Sequence, residues 1–406
     1  MLMEKKIQHL KNNQGAASIF LVIFTMLIIT TIVLGFTGIM LRDQSQASDA
    51  DLSKSAYDSS LAGVEDAKRA VSRYLQGCGP GGTATPAQCN IWRTAFPNCN
   101  SNSVIVFGAS STDNSERLIT TSASSTAETD LDQAYTCVKT TLDTPDYIGS
   151  INEDEQVLIP LRSVSDFNTI HISWFTRDNI NREVAAADRD KVNLEMPFSG
   201  VSPELPYNND NSWPKNRPPL LKAQYIQMPA SFSLTDFDET STDGTQSNTN
   251  SIFMYPIRGG ESSVNAAALV DVAPRYDSSV EPWQVSCKPT VTDSGYACSA
   301  TLDVPPTLGG AAKSSAYLSL RPFYNLTNYK VELLNGGSVV NFSGVQPKVD
   351  STGRANDIFR RVSARIEPAN GASLMPLGAV ETTGNFCKTF SVTDVPEGYD
   401  AGDCTP

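Results

Sequence analysis

Cysteine is the chemistry-bearing residue this chain holds in quantity: eight in 406 residues, against two histidines. None of the cysteines forms the CxxC pair that a zinc ribbon or a thioredoxin-like site requires, which leaves disulfide formation as their chemistry. Cys287 and Cys298 flank a turn between two alternating runs, "QVSCKPTVTDSGYACSATL", so a local bridge across a hairpin is expected. Cys387 and Cys404 would close a second loop, "CKTFSVTDVPEGYDAGDC". Cys78, Cys89, Cys99 and Cys137 allow three pairings, of which Cys78 with Cys89 and Cys99 with Cys137 is preferred while the others stay open.

Other motifs carry less. His171, in "NTIHISWFT", alternates with Ile170 and Ile172 on a strand, where a structural imidazole is commoner than a catalytic one. "GCGPGG", residues 77 to 82, satisfies GxGxxG in letters only, since it follows a helix rather than opening one. "DFDETSTDG" offers Asp236, Asp238 and Asp243 as oxygen ligands but fits no EF-hand register. Carboxylates in "INEDEQ" read as a solvated turn. Arg354, Arg360, Arg361 and Arg365 could form a basic patch for DNA or an acidic partner, though a solvated strand face is the commoner outcome. Asn325 and Asn341 begin glycosylation sequons, taken as coincidental. No nucleophile elbow, HExxH helix or Walker loop occurs. The expectation is a non-catalytic protein with no cofactor and no metal site.

The elements that must position these residues begin with a long helix. Ala16 to Leu41 is uncharged over 26 residues, about 39 Å of helix against a hydrocarbon core of about 30 Å. That exceeds the short apolar region of a cleaved signal, although Ser45-Gln46-Ala47 would pass as a cleavage site. Lys5, Lys6 and Lys11 precede the span, and Asp43, Asp49 and Asp51 follow it. The charge bias places the N-terminus in the cytoplasm and everything after residue 42 outside. A net charge of -13, with 24 Pro and 26 Gly, suits an acidic, turn-rich exported body and disfavours nonspecific grip on nucleic acid or anionic lipid. From Gln44 to Gln76 there is no Pro, and Tyr57, Leu61, Val64, Ala67, Val71, Tyr74 and Leu75 recur at helical steps. Asp58, Glu65, Lys68, Arg69 and Arg73 line the other face, with Glu65 and Arg69 spaced to pair. One helix of about 60 residues is predicted, ended by "QGCGPGG".

Residues 77–130 read as an irregular, cysteine-containing region and 131–406 as a β-rich extracellular body, with a sub-boundary near 203–219. Alternation is clearest in "RRVSARIEP", and Asn335-Gly336 gives the strongest hairpin signal. The fold class expected is α+β, a long helix laid on antiparallel sheet.

The basic leader of residues 1–15, the Gly15-Ala16 junction, the uncharged span and "SKSAYDSSLAGVEDAKRAV" together resemble the N-terminal region of PilX-type minor pilins of type IV pili. The likeness covers about residues 10–75. It implies cleavage after Gly15 by the inner-membrane prepilin peptidase, so that Ala16 begins the mature subunit. Major pilins carry Glu five residues past the cut, where this chain has Phe20. PilX-type subunits and the tip pseudopilin of type II secretion share that departure, which speaks for a minor or tip position. In the family the second half of the helix, here residues 42–76, packs on an antiparallel sheet, and a C-terminal disulfide loop such as Cys387 to Cys404 shapes the exposed surface.

The expected function is a structural pilin-like subunit serving pilus assembly, adhesion or motility. Its partners are other pilin-like subunits through residues 16–75, the peptidase and the cytoplasmic membrane, with any receptor or DNA unknown. The alternatives are a pseudopilin of a type II secretion or DNA-uptake apparatus, and a monomeric single-span surface protein.

Overall fold

A computed structural model describes residues 14–79, 82–99, 105, 116–119, 133–153, 155–180, 188, 190–194, 213–227, 249–258, 265–268, 283–304 and 316–367. It is an α+β protein in which helix α1, Gln14–Cys78, runs unbroken for 65 residues. A second helix, α2, spans Pro86–Ala95. Fifteen strands follow in chain order among the described residues: β1 Arg117–Leu118, β2 Gln133–Thr144, β3 Asp146–Ile151, β4 Val157–Pro160, β5 Thr169–Trp174, β6 Leu220–Gln227, β7 Thr249–Arg258, β8 Asn265–Ala268, β9 Trp283–Cys287, β10 Cys298–Asp303, β11 Ala316–Phe323, β12 Thr327–Asn335, β13 Ser338–Val340, β14 Phe342–Ala355 and β15 Ile358–Arg365. The chain forms two compact units, residues 1–144 with 346–368, and residues 145–345 with 369–406. The division falls inside the stretch read from sequence as one body, 131–406.

The first unit is a four-stranded sheet in the order β1-β2-β14-β15, with the second half of α1 laid on one face. Strand β15 shows how the sequence dictates this. Val362, Ala364 and Ile366 join the helix-facing core, while Arg361 on the other face reaches Asp350 across the antiparallel β14. Helix α2 sits where irregular chain is expected from composition. Its signal is local: Pro86 occupies the first turn, and the Thr85 hydroxyl caps the helix by accepting from the Gln88 amide at 3.2 Å. Trp92 and Phe96 carry α2 into the core, and Cys78–Cys89 and Cys99–Cys137 fasten its two ends.

The second unit is a mixed sheet of eleven strands, mostly antiparallel, with parallel pairs β7/β9 and β8/β10. Ile172 of β5, Leu302 of β10, Leu318 of β11, Met254 of β7 and Ile159 of β4 all enter one buried cluster. Strands from both ends of the order share that core, so the sheet curls over it. The chain after β4 completes the curl, with the Val164 amide donating to Asn341 O at 3.0 Å and the Ser343 amide to Arg162 O at 2.9 Å. Cys287 and Cys298 lie opposite each other on β9 and β10 and are bonded, as the hairpin pattern predicts. The tight hairpin between β12 and β13 closes one residue later than the Asn-Gly pair implies. Asn335 pairs with Ser338, and Gly336 and Gly337 take the two positive-φ positions at 56° and 83°.

Residues 213–219, the described part of the segment read as a possible sub-boundary, pack within the second unit. Trp213 stacks on Tyr324 and meets Tyr255 edge-on, and the fully buried Arg217 lies over both the Trp213 and Tyr255 rings and donates to Pro256 O at 3.0 Å. Residues 203–212 of that segment, the carboxylates of 236–243, and Cys387 with Cys404 fall outside the described residues.

Candidate functional site

Helix α1 does two different things along its length. Large apolar side chains from Ile19 to Leu41 are 43% to 77% exposed, and no side chain in this stretch is buried. Leaving so many Ile, Leu, Phe, Val and Met side chains in water costs on the order of 25–50 kcal/mol. That exceeds the net stability of an ordinary domain, about 5–15 kcal/mol, so the segment requires lipid or a protein bundle around it. Its polar groups are already satisfied along the helix. Thr25, Thr30, Thr31 and Thr37 donate their hydroxyls to the carbonyls of Val22, Met26, Ile28 and Val33 at 2.5 to 3.0 Å. This is one helix long and apolar enough to cross a membrane, by length and composition. Gly15 and Ala16 lie in its first turn, and Phe20 is the most exposed of its large apolar residues.

Residues 42–51 continue as exposed, polar helix, and from Leu52 onward the sheet covers one side. Of the residues the apolar spacing marks, Val64, Ala67 and Val71 are buried against the sheet and Tyr74 and Leu75 pack on the same core, but the start of the covered stretch departs from that pattern. Tyr57 and Leu61 remain exposed, at 47% and 38%, while Ala56, Ser60, Gly63, Ala67 and Ala70 are buried. These residues recur at alternating steps of four and three, a stripe of small side chains that lets helix and sheet approach closely. Hydropathy does not reveal the stripe, because Ser and Gly score as polar or neutral.

The approach is extreme at two glycines. A Cβ on Gly63 would fall 2.7 Å from Val138 Cγ2 and closer still to Ser351 Oγ. A Cβ on Gly353 of β14 would fall 2.9 Å from the Ser59 carbonyl carbon, and nearer to the Ala56 carbonyl oxygen and the Ser60 amide nitrogen. Polar clamps hold this register. Tyr135 donates its hydroxyl to Asp66 at 2.8 Å, and Arg69 pairs with the same carboxylate at 3.2 Å. Burial, with Asp66 beside it, pushes the Tyr135 phenol well above its usual range. Arg69 thus uses Asp66, not Glu65 as the spacing predicts. At the start of the covered stretch Arg360 of β15 donates to Ser53 Oγ at 2.7 Å.

The other candidates resolve as structure. Arg354 binds Glu116, Arg361 binds Asp350 with two nitrogens, and Arg365 reaches Gln346 O. The four arginines therefore bind carboxylates, a hydroxyl and a carbonyl of this chain. Arg361 holds the Asp350 carboxyl below the usual carboxylate range. His171 on β5 makes a 3.0 Å hydrogen bond to Thr301 Oγ1 and a 3.3 Å one to Ser173 Oγ, and burial lowers its pKa against the opposing pull of Glu332. Asn325 is 5% exposed and spends its amide on two backbone carbonyls, so its sequon is closed to a glycan. No group of three His, Cys, Asp or Glu that could hold a metal ion occurs among the described residues.

Comparison with family models, with curated proteins and with solved structures returns no match. Function must therefore be read from the geometry of α1.

Proposed function

We propose that this chain is a pilin-like subunit of the minor-pilin class, built into a type IV pilus-like filament through α1 and displaying its β-rich units outward. One observation carries the reading: a single unbroken helix whose first half is apolar on every side and uncovered, and whose second half is seated on an antiparallel β14/β15 hairpin through a stripe of small residues. A helix apolar all round is equally stable in lipid and among copies of itself, which permits transfer from membrane to filament at little cost. The seating of the second half would transmit the position of that helix to the first unit. Three disulfides in the body suit an oxidising compartment beyond the membrane.

The proposal is tested by shearing surface filaments from cells and assaying them for this chain. Recovery in the filament fraction supports it, and retention of all the protein in the membrane fraction favours a single-span surface protein. A pseudopilin shares the geometry of α1 and is separated genetically: deletion would abolish protein export or DNA uptake while filaments persist.

A further inference from the structure

The second unit contains a half-open cleft of about 490 Å³, lined mostly by polar residues, that plays no part in the assembly of α1. Four separate segments line it: Asn152 and Glu153 after β3, Asp178, Asn179 and Ile180 after β5, Lys215 in the turn before β6, and Asn325 with Leu326 between β11 and β12. Its size falls in the range of small-molecule sites.

Two nearly buried amides give the cavity a fixed hydrogen-bonding sense. Asn179, 9% exposed, accepts on Oδ1 from Thr176 N at 2.7 Å, Thr176 Oγ1 at 3.1 Å and Asn328 N at 3.0 Å. Backbone amides can only donate, so this side chain cannot flip, and its Nδ2 is left as a donor with no acceptor among the described residues. Asn325, 5% exposed, is fixed the opposite way. Its Nδ2 donates to Pro214 O at 2.9 Å and Arg217 O at 2.8 Å, which leaves Oδ1 as an acceptor unused among the described residues. Neither free atom is sealed from solvent. Glu153, Asp178 and Lys215 line the same cavity, and none of them has a hydrogen-bond or ion-pair partner among the described residues. Phe175 and Tyr324, in the connections that carry two of the lining segments, hold positive φ of 67° and 76°.

We infer that this cavity binds a saccharide. A hydroxyl both donates and accepts, so a ring bearing several of them can use the Asn179 donor, the Asn325 acceptor and the two carboxylates at once, while Ile180 and Leu326 meet its C–H face. A phosphate would be repelled by Glu153 and Asp178. A metal ion would be disfavoured by Lys215 and by the fixed N–H donor. An apolar ligand would leave these polar groups unpaired. Sugar binding here is independent of how α1 assembles.

The test uses the full chain in a detergent without a sugar headgroup, titrated with glucose, galactose, N-acetylglucosamine and N-acetylgalactosamine, and read by saturation-transfer NMR and calorimetry. At least one of the four binds, and Asn179→Asp weakens that binding by about tenfold or more, because it keeps the accepting oxygen but replaces the donor. Asp178→Ala, at an exposed side chain, weakens it several-fold with the fold intact. Absence of binding by all four sugars at millimolar concentration, or wild-type affinity in Asn179→Asp or Asp178→Ala, overturns the assignment.

Discussion

Replacing Gly353 by Ala adds one methyl group to β14 and tests whether α1 is rigidly seated. In an ordinary strand the change would stabilise slightly, by about 0.4–1 kcal/mol through the unfolded chain. Here the new Cβ meets backbone on α1, at Ala56, Ser59 and Ser60, which no rotamer can move. Restoring normal contact requires a shift of about 1 Å between helix and strand, and such a gap forfeits a quarter to a half of each contact's attraction. Overpacking of this kind costs about 1–3 kcal/mol, and loosened burial of Val64 and Val71 adds to it, so we expect a net loss of about 2–4 kcal/mol. Amides in the stretch Ala56–Val71 should then exchange roughly 30- to 1000-fold faster by hydrogen–deuterium mass spectrometry. Gly63→Ala should cost less, because its obstacles are the side chains of Ser351 and Val138. Unchanged protection in Gly353→Ala, or a larger effect at Gly63, would refute the claim that backbone proximity sets the helix on the sheet.

Beyond their chain neighbours and the local helix backbone, Gly35 and Gly38 have no heavy atom within 4 Å of the point where a methyl group would sit, so Gly35→Leu and Gly38→Leu should leave thermal unfolding of the body unchanged while lowering recovery in sheared filaments. The folded pKa of His171 lies below the ordinary imidazole value, so the unfolded chain binds the proton more readily. Stability contributed by the neutral ring is present above about pH 6.5 and is lost as pH falls below it, and His171→Gln should flatten the change in denaturation midpoint between neutral and mildly acidic buffer. Cys287 and Cys298 are 2% and 1% exposed, whereas Cys78, Cys89, Cys99 and Cys137 are only partly buried. Graded reductant followed by alkylation and mass mapping should open Cys287–Cys298 last; its early reduction would contradict the packing of β9 on β10.

Length and charge make the first half of α1 legible, because 26 uncharged residues have few other physical fates. The helix's direction of packing is legible in part, since Val64, Ala67 and Val71 are buried as their spacing marks. Tyr57 and Leu61 belong to the same apolar pattern yet stay exposed, while Ala56, Ser60 and Gly63 are buried, since close backbone approach selects size over hydropathy there. Strand β2 is hidden for a similar reason: "QAYTCVKTTLDT" is rich in Thr and poor in large aliphatics, and its pairing with β14 is set by residues some 200 positions away. The cavity beside Asn179 and Asn325 leaves no trace in the sequence at all. Its four segments are brought together only by the curl of the sheet, and each Asn alone resembles an ordinary turn residue.

The measurement that bears most directly on the filament assignment is the N-terminal sequence of this chain recovered from sheared filaments. A pilin-like subunit starts at Ala16, with the apolar helix leading. A start at Met1 or after Ala47 in the recovered chain, or its absence from the filaments, would contradict that assignment.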